Sequence, residues 1–379
     1  MAALAPRWQA ARSRHPTPRV TSSRSDARDP DRSSKLRVRI LGIFGYNGTA
    51  GQSGLRAGIM RILGIVFIAV AGLALGLLAW FQADIRAAHH RLATGATTLS
   101  MPGGDIEYAT AGSGPDVLVI HGSAGGFDQG LAMVGPMADR GYRLVVPSRA
   151  GYLRSAMPDG FTVAAQADAY ATLLDHLDVA RAAVIAISAG AWSALAFAER
   201  HPERCAAVVL VVPAAPLPPG QDIHGGWIAD RILHSDFVAW LAVRLAWAFP
   251  GALSESLLGT DGDVLAAASA SERARVAGIQ RLLLPISMRR RGIEFDIETA
   301  ANPPQVDWSR IDCPVLTIST EDDAFHTADR AAEIVDRIDG ADLTVFPTGG
   351  HALVGRLDEV LDAGDTFLRS NSTGRGPRE

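Results

Sequence analysis

Ala183-Val-Ile-Ala-Ile-Ser-Ala-Gly190 is a run of five apolar residues that ends on a serine set between small side chains. Ala183–Ile187 reads as a buried strand, and the alanine-rich stretch Ala189–Arg200 reads as a helix that stops before His201-Pro202. A serine at such a junction sits on a tight strand-to-helix turn, with its hydroxyl pushed out at the carboxyl edge of the sheet. The two backbones approach closely there, so the flanking residues must be small. Gly190 keeps the second glycine of a G-x-S-x-G pattern, and Ala186 takes the place of the first. Ser188 is therefore the candidate nucleophile; the competing reading is a serine that only caps the following helix.

Outward from this point the same alternation recurs. Asp116–Ile120, Tyr142–Val146, Ala206–Val212, Pro314–Ile318 and Asp342–Phe346 are short apolar runs. Near-continuous apolar strands are expected when helices cover both faces of a parallel sheet. Tyr170, Leu173, Leu174 and Leu177 fall at i, i+3, i+4 and i+7, the apolar face of an intervening helix. The pattern predicts an α/β fold with a doubly wound, mostly parallel sheet. Between Leu217 and Arg310 no strand is legible, while Ile228–Phe249 and Val264–Leu284 read as helical. This predicts a helical cap over 217–310, inserted into a core made of 97–216 and 311–371.

Several ordered motifs lie between about residue 97 and residue 369. His121-Gly122 follows an apolar strand and resembles an oxyanion-hole loop. Ser148-Arg-Ala-Gly-Tyr-Leu-Arg-Ser155 resembles the turn D-x-x-G-x-G-x-S, with Ser148 in place of the acid and Leu153 in place of a glycine. On these motifs and the serine turn, the chain resembles the capped serine-hydrolase branch of the α/β-hydrolase fold superfamily, which includes esterases, C–C bond hydrolases and proline iminopeptidases. The resemblance implies catalytic groups in the order Ser, Asp, His. Pro314-Val-Leu-Thr-Ile-Ser-Thr-Glu-Asp-Asp323 is a strand that ends in acids. With Thr320 in the family's glycine position, Asp323 is the matching acid, and a slip of one residue would exchange it with Asp322. Phe346-Pro-Thr-Gly-Gly-His351 makes His351 the matching base. The backbone N–H groups of Ser123 and Ala189 would form the oxyanion hole, in a loop ordered by His121 and Gly122. His326 reads as lying inside the helix after the acid, and His15, His89, His90, His176 and His201 read as surface residues.

The function this implies is hydrolysis of an ester or similar acyl compound through an acyl-enzyme, with a small-molecule substrate and no cofactor. Amide or C–C bond cleavage by the same triad stays open, as does a binding module that kept the fold. The chain has no H-E-x-x-H and no spaced Cys/His cluster, so no metal is expected. His121-Gly-Ser-Ala-Gly-Gly126 lacks the Lys-Ser/Thr of a phosphate loop. Within the cap, Trp227, Phe237, Trp240, Trp247 and Phe249 either line an apolar pocket or hold the cap to its base. Arg289-Arg-Arg291 reads as a solvated helix end. Cys205 and Cys313 each precede a core strand, and the resemblance makes those strands neighbours, so the pair is read either as a disulfide or as two buried thiols. Two cysteines in 379 residues exclude a disulfide scaffold.

The amino-terminal part differs from the rest. Residues 1–61 carry 12 Lys and Arg against 3 Asp and Glu, whereas the whole chain is at −4. Residues 1–59 lack a usable period and read as a disordered basic tail, or as leader sequence that is not translated. Neither aromatic interleaving nor a DNA-binding motif accompanies the charge, so no nucleic-acid partner is expected. Ile62–Phe81 is twenty residues without a charge, which at helical rise span roughly 30 Å, the thickness of a bilayer's hydrocarbon core. Residues 60–81 are therefore expected to form a transmembrane or signal-anchor helix, followed by a linker over 82–96. Read from Met60, the chain begins with a start residue, one positive charge and an apolar run, the layout of an export signal or anchor. The basic tail favours an N-terminus inside and the catalytic domain on the extracytoplasmic side. A secreted form and a domain on the cytoplasmic face are the alternatives, and the oligomeric state is open.

Overall fold

The computed structural model describes residues 50–215, 231–249, 255 and 258–372. In chain order the elements are α1 (Ala50–Thr94), β1 (Thr97–Leu99), β2 (Ile106–Gly112), β3 (Asp116–Ile120), α2 (Phe127–Val134), α3 (Pro136–Asp139), β4 (Arg143–Pro147), α4 (Val163–His176), β5 (Ala182–Ile187), α5 (Gly190–Arg200) and β6 (Cys205–Val211). After β6 come α6 (Asp236–Ala248), α7 (Gly262–Ala267), α8 (Ala270–Leu282) and α9 (Arg290–Ala301). The chain then returns to the sheet with β7 (Val315–Thr320), α10 (Thr327–Arg337), β8 (Asp342–Phe346) and α11 (Leu357–Ser372).

The eight strands form one sheet in the order β1-β2-β4-β3-β5-β6-β7-β8. Strands β3 to β8 run parallel, and β2 pairs antiparallel with both β1 and β4. Alternate residues feed two separate cores. Leu118, Ile120, Val184, Ala186, Val208 and Leu210 pack with α4 and α5 on one face. Val117, Val119, Ile185, Ile187, Val209, Val211 and Ile318 pack with α2 and α11 on the other. Val117–Ile120, Val184–Ile187 and Val208–Val211 are buried on both faces, which is why these segments are apolar at every position. The six strands expected from apolar runs are all present. Strands β1 and β2, at the antiparallel edge, have no such run: β2 reads Ile-Glu-Tyr-Ala-Thr-Ala-Gly and is half exposed.

Two expectations for the amino-terminal region need correction. Residues 50–59 are helical rather than disordered, and the linker expected over 82–96 is helix as far as Thr94. Phe81, Ile85, Ala88 and Leu92 are buried at spacings of four and three, an apolar stripe on one helix face. The rest of the expected tail, residues 1–49, lies outside the described residues. The chain divides into two compact units between Ala74 and Leu75, inside α1. Among the described residues α1 alone is long and apolar enough to cross a membrane. Its side chains from Leu55 to Leu75 are mostly exposed.

No strand occurs among the described residues between β6 and β7. The helical stretch expected over Val264–Leu284 is broken at Ala268-Ser269, where Ser269 accepts the Glu272 N–H and starts α8. Trp227 lies outside the described residues.

Candidate active site

Ser188 follows β5 directly, with φ of 50°, the left-handed region that costs a non-glycine residue about 1–3 kcal/mol. The turn is held from both sides. Ser188 N–H donates to Val211 O at 2.9 Å, and Ser188 O accepts from Ala191 and Ala214 N–H, each at 3.0 Å. Gly190 has to be glycine, because a Cβ there would stand 2.8 Å from the carbonyl oxygens of Ile120 and His121. A Cβ on Gly122 would stand 3.1 Å from Ser188 Cβ, so the glycine loop lies directly against the serine.

His351 Nε2 lies 2.9 Å from Ser188 Oγ, and its Nδ1 lies 2.7 Å from Asp323 Oδ2. Asp323 is 3% exposed, and its carboxylate also accepts from Phe325 N–H at 2.8 Å and from the Thr327 hydroxyl. Burial alone would raise this carboxyl, but hydrogen bonds from His351, Thr327 and Phe325 outweigh it and hold the pKa below the usual carboxylate value. The neighbouring acid has a different task. Asp322 accepts the N–H groups of Gly350 at 2.8 Å and Gly349 at 3.1 Å, which fixes the loop that carries His351.

Two further residues were not legible in the sequence. Gly259 O accepts from both Ala324 N–H (3.0 Å) and His351 N–H (3.2 Å), tying the acid loop to the histidine loop. Thr260 is buried, and its hydroxyl accepts from Ala352 N–H at 3.0 Å. Nothing local marks either one, because their partners lie more than sixty residues away. His326 is exposed and sits ahead of α10 rather than inside it, with φ of 54°.

The loop of His121 to Gly126 is ordered by buried polar groups. Arg149 N–H donates to His121 Nε2 at 2.9 Å, which leaves the proton on Nδ1, where it is donated to Gly122 O at 2.7 Å. Burial, then the charges of Arg149 and Arg289, hold the His121 pKa well below the ordinary histidine value. Ala124 N–H donates to the Tyr152 hydroxyl at 3.3 Å, and that hydroxyl donates to Asp296 of α9, which also pairs with Arg149. Among the described residues neither Ser123 N–H nor Ala189 N–H donates to a protein acceptor. Both therefore remain available to an incoming oxygen.

Arg289 corrects its sequence reading. Arg290 and Arg291 are exposed as expected, but Arg289 is fully buried. It donates to Gly125 O and, at 2.9 Å, to Asp128. Ser148, which replaces an acid in the motif, donates at 2.7 Å to the buried carboxylate of Glu107 on β2. Phe237 and Trp240 pack on Phe81 of α1, while Trp247 and Phe249 are exposed.

A sequence model of the family described as alpha/beta hydrolase fold matches residues 115–354. The uncharacterized hydrolase YcgS of Bacillus subtilis is 28% identical over 276 residues, covering 72% of this chain and 96% of its own length. A 2-hydroxy-6-oxo-6-phenylhexa-2,4-dienoate hydrolase of Comamonas testosteroni is 34% identical over 113 residues, covering 28% of this chain and 40% of its own. Among solved structures, an alpha/beta hydrolase fold protein from Nakamurella multipartita superposes with a TM-score of 0.58 at 26% identity, covering 73% of this chain and 99% of its own.

Proposed function

The chain belongs to the α/β-hydrolase fold family and is a hydrolase, and from that premise we propose that it cleaves an ester or similar acyl compound through an acyl-enzyme formed on Ser188. The observation that carries the reading is the continuous relay Ser188 Oγ–His351 Nε2 at 2.9 Å and His351 Nδ1–Asp323 Oδ2 at 2.7 Å. As Ser188 Oγ attacks the substrate carbonyl, His351 Nε2 takes its proton. Asp323 holds the Nδ1 proton in place and stabilises the imidazolium that forms. The N–H groups of Ser123 and Ala189 receive the oxyanion, and loss of one such donor typically costs about 3–4 kcal/mol. His351 then protonates the departing alcohol, and a water activated by the same ring releases the acid.

A second reading, C–C bond cleavage, is favoured by the Comamonas relative named for a dienoate hydrolase. Residues 62–81 serve as a single-pass anchor with the catalytic domain on the extracytoplasmic side, and the helices between β6 and β7 serve as a lid. A fluorophosphonate probe tests the nucleophile: wild type is labelled and Ser188→Ala is not. Labelling of the alanine variant would sink the assignment. Turnover of p-nitrophenyl esters against a vinylogous β-diketone substrate separates the two chemistries. Resistance to carbonate extraction tests the anchor.

A further inference from the structure

Single exposed apolar residues are ordinary on a protein surface, and Ile297, Phe325 and Leu343 are of that kind. One group is not scattered. At the carboxyl end of α6, Leu245, Trp247 and Phe249 are 42%, 52% and 61% exposed, although Ala239, Trp240, Val243 and Ala246 of the same helix are buried. The buried side explains its own residues. Trp240 stacks edge-on with Phe81 and Trp80, and its indole N–H donates to Asp84 at 2.6 Å. The exposed side is brought up to α1 as well. The Arg244 guanidinium, paired with Asp84, lies 4.7 Å from the Trp80 ring and 5.9 Å from the Trp247 ring, so the two indoles flank one cation. Arg281, an exposed residue in the last turn of α8, lies over the Trp247 ring at 5.3 Å.

We propose that Trp80, Leu245, Trp247 and Phe249, with Arg281 beside them, form a membrane-contact surface that seats the lid in the headgroup region of the bilayer holding α1. The proposal rests on the reading of residues 62–81 as an anchor. Trp80 is the penultimate residue of that charge-free run, so a spanning helix puts its indole at the interface, where amphipathic rings are favoured. Arg244, within 4.7 Å of Trp80 and 5.9 Å of Trp247, keeps the second indole beside the first. Arg281 supplies a positive charge where lipid phosphates lie. Six residues earlier in α8, Arg275 donates to Ala352 O at 2.8 Å, so one helix joins this surface to the histidine loop.

The test uses the full chain in nanodiscs containing anionic phospholipid, with an environment-sensitive fluorophore on single introduced cysteines. Native Cys205 and Cys313 are buried and leave the label to the new site. Trp247→Cys and Phe249→Cys are compared with Leu73→Cys in the apolar run and Leu343→Cys on β8. Lipids with a shallow acyl-chain nitroxide should quench the label at 73, 247 and 249 and leave it bright at 343. Quenching at 73 with 247 and 249 as bright as 343 would overturn the surface and leave the anchor standing. Equal quenching at 343 and 247 would also overturn it. A label at 73 that stays bright removes the anchor, and the surface with it.

Discussion

The guanidinium of Arg289 is enclosed by protein and donates to the Asp128 carboxylate at 2.9 Å. The pair joins two distant parts of the chain. Asp128 opens α2, directly after the glycine loop beside Ser188, and Arg289 immediately precedes α9. Its other donation, to Gly125 O, lands inside that loop. Arg91 of α1 reaches the same carboxylate at 3.4 Å, so α1, the residue before α9 and the start of α2 meet at Asp128.

Arg289→Ala is expected to destabilise the protein by about 3–5 kcal/mol, because it leaves Asp128 charged, buried and short of its best partner. Arg290→Ala, on an exposed neighbour, should stay within about 0.5 kcal/mol of wild type. Urea unfolding of the two variants side by side checks the contrast. Equal stabilities would show that the pair contributes nothing.

Asp323→Asn should lower kcat on the order of 10³-fold or more, by analogy with other triads. Asp322→Asn keeps an oxygen for one of the Gly349 and Gly350 N–H groups and should cost much less. Steady-state kinetics on one ester substrate decide it. A larger loss at Asp322 would reverse the two roles.

His121 makes stability depend on pH. Its native pKa is depressed by burial and by the neighbouring arginine charges. Below about 6.5 the unfolded chain takes up a proton there while the native fold does not. Stability is therefore retained above that pH and falls as the pH drops toward the lower native value, by at most about 1.4 kcal/mol per unit. Urea midpoints between neutral pH and the low fives should show this slope in wild type. His121→Gln, with no proton to gain, should lose that part of it.

Cys205, the first residue of β6, and Cys313, two residues before the adjacent β7, are free, buried and 3.0 Å apart at sulfur. A hydrogen bond with Cys313 and burial push the Cys205 thiol well up, which suppresses its thiolate. Thiol titration without reductant should find none reactive in the native protein and two after denaturation. None after denaturation would mean that the pair is bonded.

Much of the architecture was legible because it is local. A strand dry on both faces must be apolar, so the centres of β3, β5 and β6 announce themselves, and the Ser188 turn needs small residues within two positions of the serine. The order Ser188, Asp323, His351 follows from the resemblance carried by such local motifs. The stripe Phe81, Ile85, Ala88, Leu92 was equally local, yet it was obscured by the charge-free run before it. Other features were decided only by the tertiary structure. Asp322 and Asp323 are the same residue type one position apart, and only packing aims one at backbone amides and the other at His351. Glu107 meeting Ser148, Gly259 bridging two loops and Arg289 turning inward all depend on partners at least forty residues away. Periodicity records which face of an element is buried, but it does not record which distant polar group waits there. Hydrogen bonds and ion pairs between remote segments exist only once the sheet has brought them together, and burial then makes each unpaired alternative costly.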